Sequence, residues 1–236
     1  MRLAPFRKVV DLFLMSIKSA PIHVMDFEGN TRSGIIEYGI VTIHDGAVVD
    51  TQSRFCQPRA PIDPIDSRLH GIRNQDTEGA RPVEDEWLLF SGCRRTGPLC
   101  AHHAQVEDGL LRQVWPYPGH VPDLLHTEGQ VETWAPWIDT RILYAYLFPD
   151  LDSHQLMDLV KTFHLESPLK ALVERYCPPG RQRHHCALHD ALASAVLLLQ
   201  IPELPGYQHV DTWWYVFNSA KNQSQRDAWM QGELGF

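Results

Sequence analysis

Residues 24–30 read VMDFEGN and follow PIH at 21–23. The apolar residues predict a buried β-strand, but this strand carries two acids, Asp26 and Glu28, on either side of Phe27. Residues i and i+2 of a strand point to the same face, so we expect both carboxylates to project together and Phe27 to point the other way. Two adjacent negative charges repel each other unless a cation lies between them. The stretch therefore predicts either a Mg²⁺ site or a strand end at which both acids are solvated.

The composition limits what kind of protein this is. The chain has 236 residues, of which 44% are hydrophobic, so it can bury the core of one sizeable domain or of one domain with extensions. The net charge of −8 argues against a protein that coats nucleic acid by bulk attraction. A local nucleic-acid site that carries its own cations remains compatible with this charge.

The cysteines and the N-terminus indicate a cytoplasmic protein. Five cysteines without CxxC spacing are typical of reduced thiols rather than of a disulfide framework. No apolar run reaches the roughly 18 residues of a membrane span, so we expect no membrane partner. The basic N-terminal segment lacks an uninterrupted signal-peptide core. Its apolar residues have helical spacing over 5–18, so residues 1–19 are interpreted as a helical extension packed on the domain.

The order of predicted elements favours an α/β or α+β domain with a mixed sheet. Strand patterns fill 21–56, with a hairpin turn at His44-Asp45-Gly46, and one further strand is predicted in GPLCAH at 97–102. Helical patterns predominate from residue 61 onward. The later ones lie at 139–148, 153–164, 168–176 and about 185–200.

Two segments are predicted to extend this domain. Residues 115–137 hold four prolines and three tryptophans, and the aromatic content indicates an ordered insertion loop rather than disorder. Residues 201–236 are interpreted as a C-terminal extension packed on the domain, in which VDTWWYVF is either a helix or a covering strand. Either segment is a candidate surface for a protein partner or for a homodimer.

Two further stretches place acids and histidines at the starts of predicted helices. AHHAQVEDGLL at 101–111 has acids early on an amphipathic helix, directly after a predicted strand. HCALHDA at 185–191 holds a histidine and an aspartate five positions apart. Taken singly, these histidines are as well explained as surface or helix-capping residues.

Together and in this order, the three stretches resemble the motifs of the DnaQ-like 3′–5′ exonucleases of the DEDDh group. DFEGN resembles the first motif, D-x-E; AHHAQVEDGLL resembles the second; HCALHDALASAVLLL resembles the third, H-x-x-x-x-D. The loop ending in LHGI and the helix pair after IDT are also similar to that family, and the resemblance covers roughly residues 20–200. It implies an α/β, RNase H-like fold with a central mixed five-stranded sheet flanked by helices.

The second motif departs from the usual pattern. In the register that matches the family, Glu107 occupies the position of the usual aspartate, and His103 replaces the usual asparagine. Asp108 follows one residue later, rotated by about 100° on a helix, so the two acids cannot serve one site equally well. The ligand role is therefore assigned to Glu107.

The resemblance implies two Mg²⁺ or Mn²⁺ ions held by Asp26, Glu28, Glu107 and Asp190. Two divalent ions would balance these converging charges and stabilise both the attacking and the leaving oxygen of an in-line phosphodiester displacement. The implied activity is hydrolysis at the 3′ end of single-stranded DNA or RNA, with release of nucleoside 5′-monophosphates. The alternative is a catalytically silent nucleic-acid-binding or polymerase-associated module, and the sequence does not choose between DNA and RNA.

The general base is predicted to be His185. Five residues on a continuous helix give an angular offset of about 140°, so His185 can face the same site as Asp190 only if it precedes the helix start. The residues implied near the terminal nucleotide are Phe27, Leu69, His70 and His103. Packing in the core is the alternative for the first three.

Overall fold

The structure, a computed structural model, describes residues 20–125 and 129–220; the predicted helix at 5–18 lies outside the described residues. The strands are β1 Ile22–Asn30, β2 Gly34–His44, β3 Ala47–Phe55, β4 Leu99–Ala101, β5 Val121–Pro122, β6 Gln130–Val131 and β7 Trp137–Asp139. The helices are α1 Pro64–His70, α2 Trp87–Thr96, α3 Ala104–Val114, α4 Thr140–Leu147, α5 Leu156–Thr162, α6 Glu166–Tyr176, α7 Ala187–Gln200 and α8 Thr212–Asn218.

The central sheet has five strands in the order β3-β2-β1-β4-β7. The first three strands pair antiparallel, whereas β4 pairs parallel to β1 and β7 pairs parallel to β4. The predicted central mixed five-stranded sheet is therefore confirmed. Asp45 and Gly46 form the predicted hairpin turn with φ of 50° and 74°, the conformation that matches the twist of the flanking strands.

Helices cover both faces of the sheet. Ile22 and Val24 of β1 belong to a core cluster that includes Leu188 of α7. Met25 and Phe27 point to the other face, where they belong to a second cluster with Phe90 of α2. Asp26 and Glu28 continue the Ile22–Val24 face, which places them on the α7 side of the sheet.

The second half of β1 has no strand partner on the β4 side. β4 pairs with β1 only at His23 and Val24, whereas β2 pairs with β1 as far as Asn30. Asp26 and Glu28 thus lie beyond the carboxyl end of the β1–β4 pairing. This end of the sheet is where α3 and α7 begin.

The predicted helices are present with shifted ends. The pattern at about 185–200 forms α7, which begins at Ala187. VDTWWYVF is helical, and Tyr215 and Val216 of α8 join the core cluster under α7. Residues 201–220 thus pack on the sheet domain, and the rest of the predicted C-terminal extension lies outside the described residues.

The insertion at 115–137 is ordered in its described part, 115–125 and 129–137. Arg94 of α2 is fully buried and donates hydrogen bonds to four main-chain carbonyls of the insertion. These belong to Pro118, Gly119, Val131 and Thr133, at 2.7–3.0 Å. Trp134 packs near the Arg94 guanidinium and on Trp87 and Trp115. A buried cation satisfied by carbonyls therefore fixes the path of this loop.

No helix within residues 20–125 and 129–220 is long and apolar enough to span a bilayer. All five cysteines lie in this part of the chain, and all are buried and free. The cytoplasmic location expected from the sequence stays a prediction.

Candidate functional site

Four acids from three elements meet at the end of the sheet. Asp26 and Glu28 come from β1, Glu107 from the first turn of α3 and Asp190 from the first turn of α7. Burial raises the pKa of Asp26 well above its ordinary value, and the charges of Asp190, Glu107 and Glu28 raise it further. The structure therefore brings together the four residues predicted as metal ligands.

Gly39 on β2 allows α7 to approach this closely. It is the register partner of Asp26 on β1. A Cβ at Gly39 would lie 2.3 Å from the backbone nitrogen of Leu188, a distance that no side chain tolerates. The first turn of α7 thus rests directly on the β2 backbone, and this contact places Asp190 beside the β1 acids.

Asp139, the last residue of β7, fixes the start of α3. Its carboxylate accepts hydrogen bonds from the backbone nitrogens of His103, at 3.2 Å, and Ala104, at 2.9 Å. His103 has a left-handed φ of 81°, so the chain turns sharply before α3. The first turn that carries Glu107 is oriented by this contact, which the sequence analysis did not anticipate. The available signal was an aspartate at the start of the helix predicted over 139–148, where aspartate commonly acts as a cap.

Glu107 and Asp108 occupy different environments. Glu107 is buried, and its Oε2 has no hydrogen-bond partner among the described residues. Asp108 accepts hydrogen bonds from Arg112 Nε at 2.7 Å and from Trp137 Nε1 at 3.2 Å. Of these two residues, Glu107 is the one whose carboxylate keeps an oxygen without a hydrogen-bond partner among the described residues.

The electrostatics of the cluster fit a divalent cation. Burial raises the pKa of Glu28 to about 8, and the Asp190 charge adds to this effect. Burial also raises the pKa of Glu107 to about 8, with a further contribution from Asp139. Clustered carboxylates with an unpaired buried oxygen provide the hard oxygen ligands that Mg²⁺ and Mn²⁺ prefer.

His185 lies before α7, as its predicted role requires. It has a left-handed φ of 62° and stands two positions before the first helical residue, Ala187. Its backbone nitrogen donates to Asp190 Oδ2 at 3.0 Å. Ligand atoms of Glu28, His185 and Asp190 all lie within 4.8 Å of one another. Burial lowers the pKa of His185, and His184 lowers it further, so the neutral ring that can accept a proton is favoured.

Two more histidines contact Asp190 directly. His184 Nδ1 lies 2.9 Å from one carboxylate oxygen, and His189 Nδ1 lies 2.8 Å from the other. Burial alone would raise the pKa of Asp190, but hydrogen bonds from His184 and His189 hold it below its ordinary value. The rings of His184 and His185 stack with centroids 3.8 Å apart.

A buried ion pair that the sequence analysis did not foresee lies next to these acids. Glu37 on β2 is the register partner of Glu28, and Arg181 from the loop before α7 pairs with it. The signal for Glu37 was a single acid within the apolar run IIEYGIVTI.

The four residues predicted to bind the terminal nucleotide differ in their exposure to solvent. Phe27 is buried and packs edge-on against Phe90 at 5.8 Å, so packing accounts for its side chain. Leu69 is 52% exposed, whereas His70 is buried with an unpartnered Nε2 among the described residues. His103 is exposed at the turn before α3. A role for each at the terminal nucleotide stays a prediction.

Comparison with known proteins adds independent information. No protein-family model matches the chain. The DNA polymerase III PolC-type of Halalkalibacterium halodurans is 30% identical over 164 residues, which cover 70% of this chain. The chain spans about a tenth of the length of the curated relatives it matches.

Solved structures share the fold. Exonuclease X in complex with 5′ overhanging duplex DNA superposes with a TM-score of 0.61 and 24% identity, covering 84% of this chain and 99% of that one. The nuclease domain of 3′hExo, a DEDDh family member bound to rAMP, superposes with a TM-score of 0.50 and 16% identity, covering 80% and 94%.

The mixed five-stranded sheet with its flanking helices is the RNase H-like fold that these solved exonucleases share. In sequence and in fold the chain is similar to the DnaQ-like (DEDDh) exonucleases.

Proposed function

We propose that this protein is a metal-dependent 3′–5′ exonuclease that removes nucleoside 5′-monophosphates from single-stranded nucleic acid. The observation that carries the proposal is the meeting of Asp26, Glu28, Glu107 and Asp190, with the Glu107 Oε2 atom buried and unpaired. Unneutralised carboxylates this close together destabilise a fold, so their retention points to a bound cation.

The acids would hold two divalent ions, Mg²⁺ or Mn²⁺. When bound, these ions supply stabilisation of the attacking and leaving oxygens of the scissile phosphodiester. The imidazole of His185 takes the proton of the attacking water, because it is neutral near pH 7 and lies beside Glu28 and Asp190. His185 has a left-handed backbone conformation before α7, and a ring nitrogen lies within 4.8 Å of carboxylate oxygens of Glu28 and Asp190.

His70 and Leu69 are suited to the terminal nucleotide. His70 Nδ1 accepts a hydrogen bond from the backbone nitrogen of Ile72 at 3.0 Å, so the neutral ring carries its proton on Nε2. That buried Nε2–H group has no partner within the described residues, and a buried unpaired donor is costly. A nucleotide oxygen or nitrogen would satisfy it, and the exposed Leu69 offers an apolar surface for a base.

The comparisons bear on the substrate. The relatives are named as DNA polymerases, and the solved exonuclease X complex contains duplex DNA with a 5′ overhang. Other neighbours are a 3′hExo nuclease domain bound to rAMP and a 3′-exonuclease that recognises a histone mRNA stem-loop, so DNA and RNA 3′ ends are both candidate substrates. A protein partner or a homodimer at 115–137 or at the C-terminal tail stays a prediction.

The deciding experiment is a panel of single- and double-stranded DNA and RNA, each labelled at the 5′ or at the 3′ end. With Mg²⁺ or Mn²⁺ we expect a ladder from 5′-labelled strands and immediate mononucleotide release from 3′-labelled strands. EDTA and the variant Asp26→Asn are the controls. Binding without any release in either metal would instead support the catalytically silent module.

A further inference from the structure

We propose that His184, His189 and Asp190 form a second metal site, selective for Zn²⁺ over Mg²⁺, and that its occupation inhibits the nuclease. The site shares Asp190 with the acid cluster but takes its two other ligands from the histidines around the start of α7. The part of the proposal that concerns inhibition rests on the proposed function, whereas zinc binding does not.

The distances define the site. His184 Nδ1 lies 3.0 Å and His189 Nδ1 lies 2.8 Å from the same Asp190 oxygen, Oδ1, and one ligand atom from each of the three residues lies within 4.8 Å of the other two. Within residues 20–125 and 129–220, the one other group of this kind is Glu28, His185 and Asp190. Both histidines present the same ring nitrogen to the carboxylate.

This ligand set suits zinc better than magnesium. Two imidazoles and one carboxylate are typical zinc ligands, whereas Mg²⁺ prefers oxygen alone. Ligand atoms around a tetrahedral zinc ion lie roughly 3.4 Å apart. The histidine–aspartate contacts would need to widen by only about half an ångström to reach that spacing. Three protein ligands leave the fourth zinc position to water.

The three ligands differ in their exposure to solvent. His189 and Asp190 are buried, whereas the His184 side chain is 42% exposed. An ion can therefore enter from the His184 side without rearrangement of α7. His184 lies on the loop before the helix, and its ring can shift more easily than that of His189.

Zinc at this site would act on the reaction through Asp190. A carboxylate drawn toward zinc contributes less negative charge to the ions held with Asp26, Glu28 and Glu107. The ring of His185 stacks on that of His184, so a shift of His184 also disturbs the proposed base. The expected result is loss of turnover at zinc concentrations far below those of Mg²⁺.

Calorimetric titration with Zn²⁺ tests the site directly, using the full chain in excess Mg²⁺ without nucleic acid. We expect one zinc ion per chain in the wild type. His184→Ala and His189→Ala should each weaken zinc binding at least tenfold, because losing an outer partner of a metal ligand already costs about 10- to 100-fold. His209→Ala is the matched control, since His209 is exposed and belongs to neither ligand group. Thermal unfolding of each variant checks that it is folded.

The outcomes separate this proposal from the nuclease assignment. Equal zinc affinity in all variants would place zinc on the acids alone and overturn the site. Loss of binding in His185→Ala, with retention in His184→Ala, would assign zinc to Glu28, His185 and Asp190 and would also overturn it. Inhibition of Mg²⁺-supported hydrolysis should be relieved in His184→Ala and His189→Ala but not in His209→Ala. If the protein has no nuclease activity, the calorimetric result still stands alone.

Discussion

Arg181 and Glu37 form a buried ion pair although 144 positions separate them in the chain. Arg181 also donates to the main-chain oxygen of His70 at 2.7 Å, and Glu37 accepts from the backbone nitrogen of Ala187 at 3.0 Å. The pair thereby joins β2, the end of α1 and the start of α7. It holds the loop that carries His185 against the strand next to Glu28.

Replacement of Arg181 by methionine should therefore impair both stability and turnover. Removing one partner of a buried pair costs about 3–5 kcal/mol of unfolding free energy, because the remaining charge is left uncompensated. We expect kcat to fall more than KM rises, since the loop with His185 loses its anchor. Urea unfolding and steady-state kinetics measure these effects.

The double variant Glu37→Gln/Arg181→Met separates positioning from stability. It removes the unpaired charge, so stability should largely recover while kcat stays low. Arg183→Met is the control, because Arg183 is exposed and donates to main-chain oxygens alone among the described residues. Full activity in the double variant would show that the pair serves only to hold the fold.

Asp26→Asn should abolish hydrolysis while leaving the protein folded. Without metal, the variant should be at least as stable as the wild type, because it relieves the repulsion among Asp26, Glu28, Glu107 and Asp190. Thermal unfolding in EDTA and in Mg²⁺ measures this, and Mg²⁺ should stabilise the wild type more than the variant. Undiminished hydrolysis by Asp26→Asn would refute the metal assignment.

Glu107→Gln and Asp108→Asn test the register of the second motif. Glu107→Gln should remove nearly all activity, because the buried Oε2 is the oxygen available to a cation. Asp108→Asn should be nearly silent, since the ion pair with Arg112 that it weakens is worth about 0–1 kcal/mol and the asparagine oxygen can still accept from Trp137 Nε1. Hydrolysis assays of the two variants side by side test this prediction. An inactive Asp108→Asn together with an active Glu107→Gln would assign the metal-ligand role to Asp108.

His185→Ala should slow hydrolysis by about 10²–10⁴, the usual contribution of a general base. It should still bind a 3′ end. His184→Ala and His189→Ala should each lose much less. Wild-type activity should rise with pH as the His185 ring loses its proton, below the ordinary histidine value because burial lowers the pKa of this group. Near-normal turnover in His185→Ala, together with an inactive His184→Ala, would identify His184 as the general base.

The metal-free protein should lose stability as the pH rises from about 4.5 through about 8. The pKa values of Glu28 and Glu107 are raised to about 8 in the folded state, so the fold binds these protons more tightly than the unfolded chain does. Their stabilising contribution is complete below the ordinary value of 4.5 and disappears as the pH passes 8. Urea unfolding at several pH values in EDTA tests this.

The double variant Glu28→Gln/Glu107→Gln is the control for the urea unfolding measurements at several pH values. Its stability should vary less over the same pH range, because neither side chain titrates. Added Mg²⁺ should stabilise the wild type most at the high end of the range, where both carboxylates are ionised. A wild-type profile that coincides with that of the double variant would contradict the assignment of these two groups.

Local patterns determined much of the fold. Strand alternation placed Asp26 and Glu28 on one face and Phe27 on the other, because the side-chain period of a strand is fixed by its backbone. Helical spacing predicted α4 to α7 to within a few residues. The angular offset between His185 and Asp190 correctly required the chain to break before the helix, which begins at Ala187.

Tertiary structure decided how these pieces meet. The register between β1 and β2 shifts by one residue between Glu28 and Gly29. Counting residues back from the turn therefore does not predict that Glu28 pairs with Glu37. A glycine is needed at position 39 because the first turn of α7 crosses β2 there, and a Cβ would clash with the backbone of Leu188. The sequence alone thus determined which side chains can share a face, since this depends on backbone periodicity. Contacts between distant segments, such as Arg181 with Glu37, were decided by packing, because their free energy depends on burial that exists only in the folded chain.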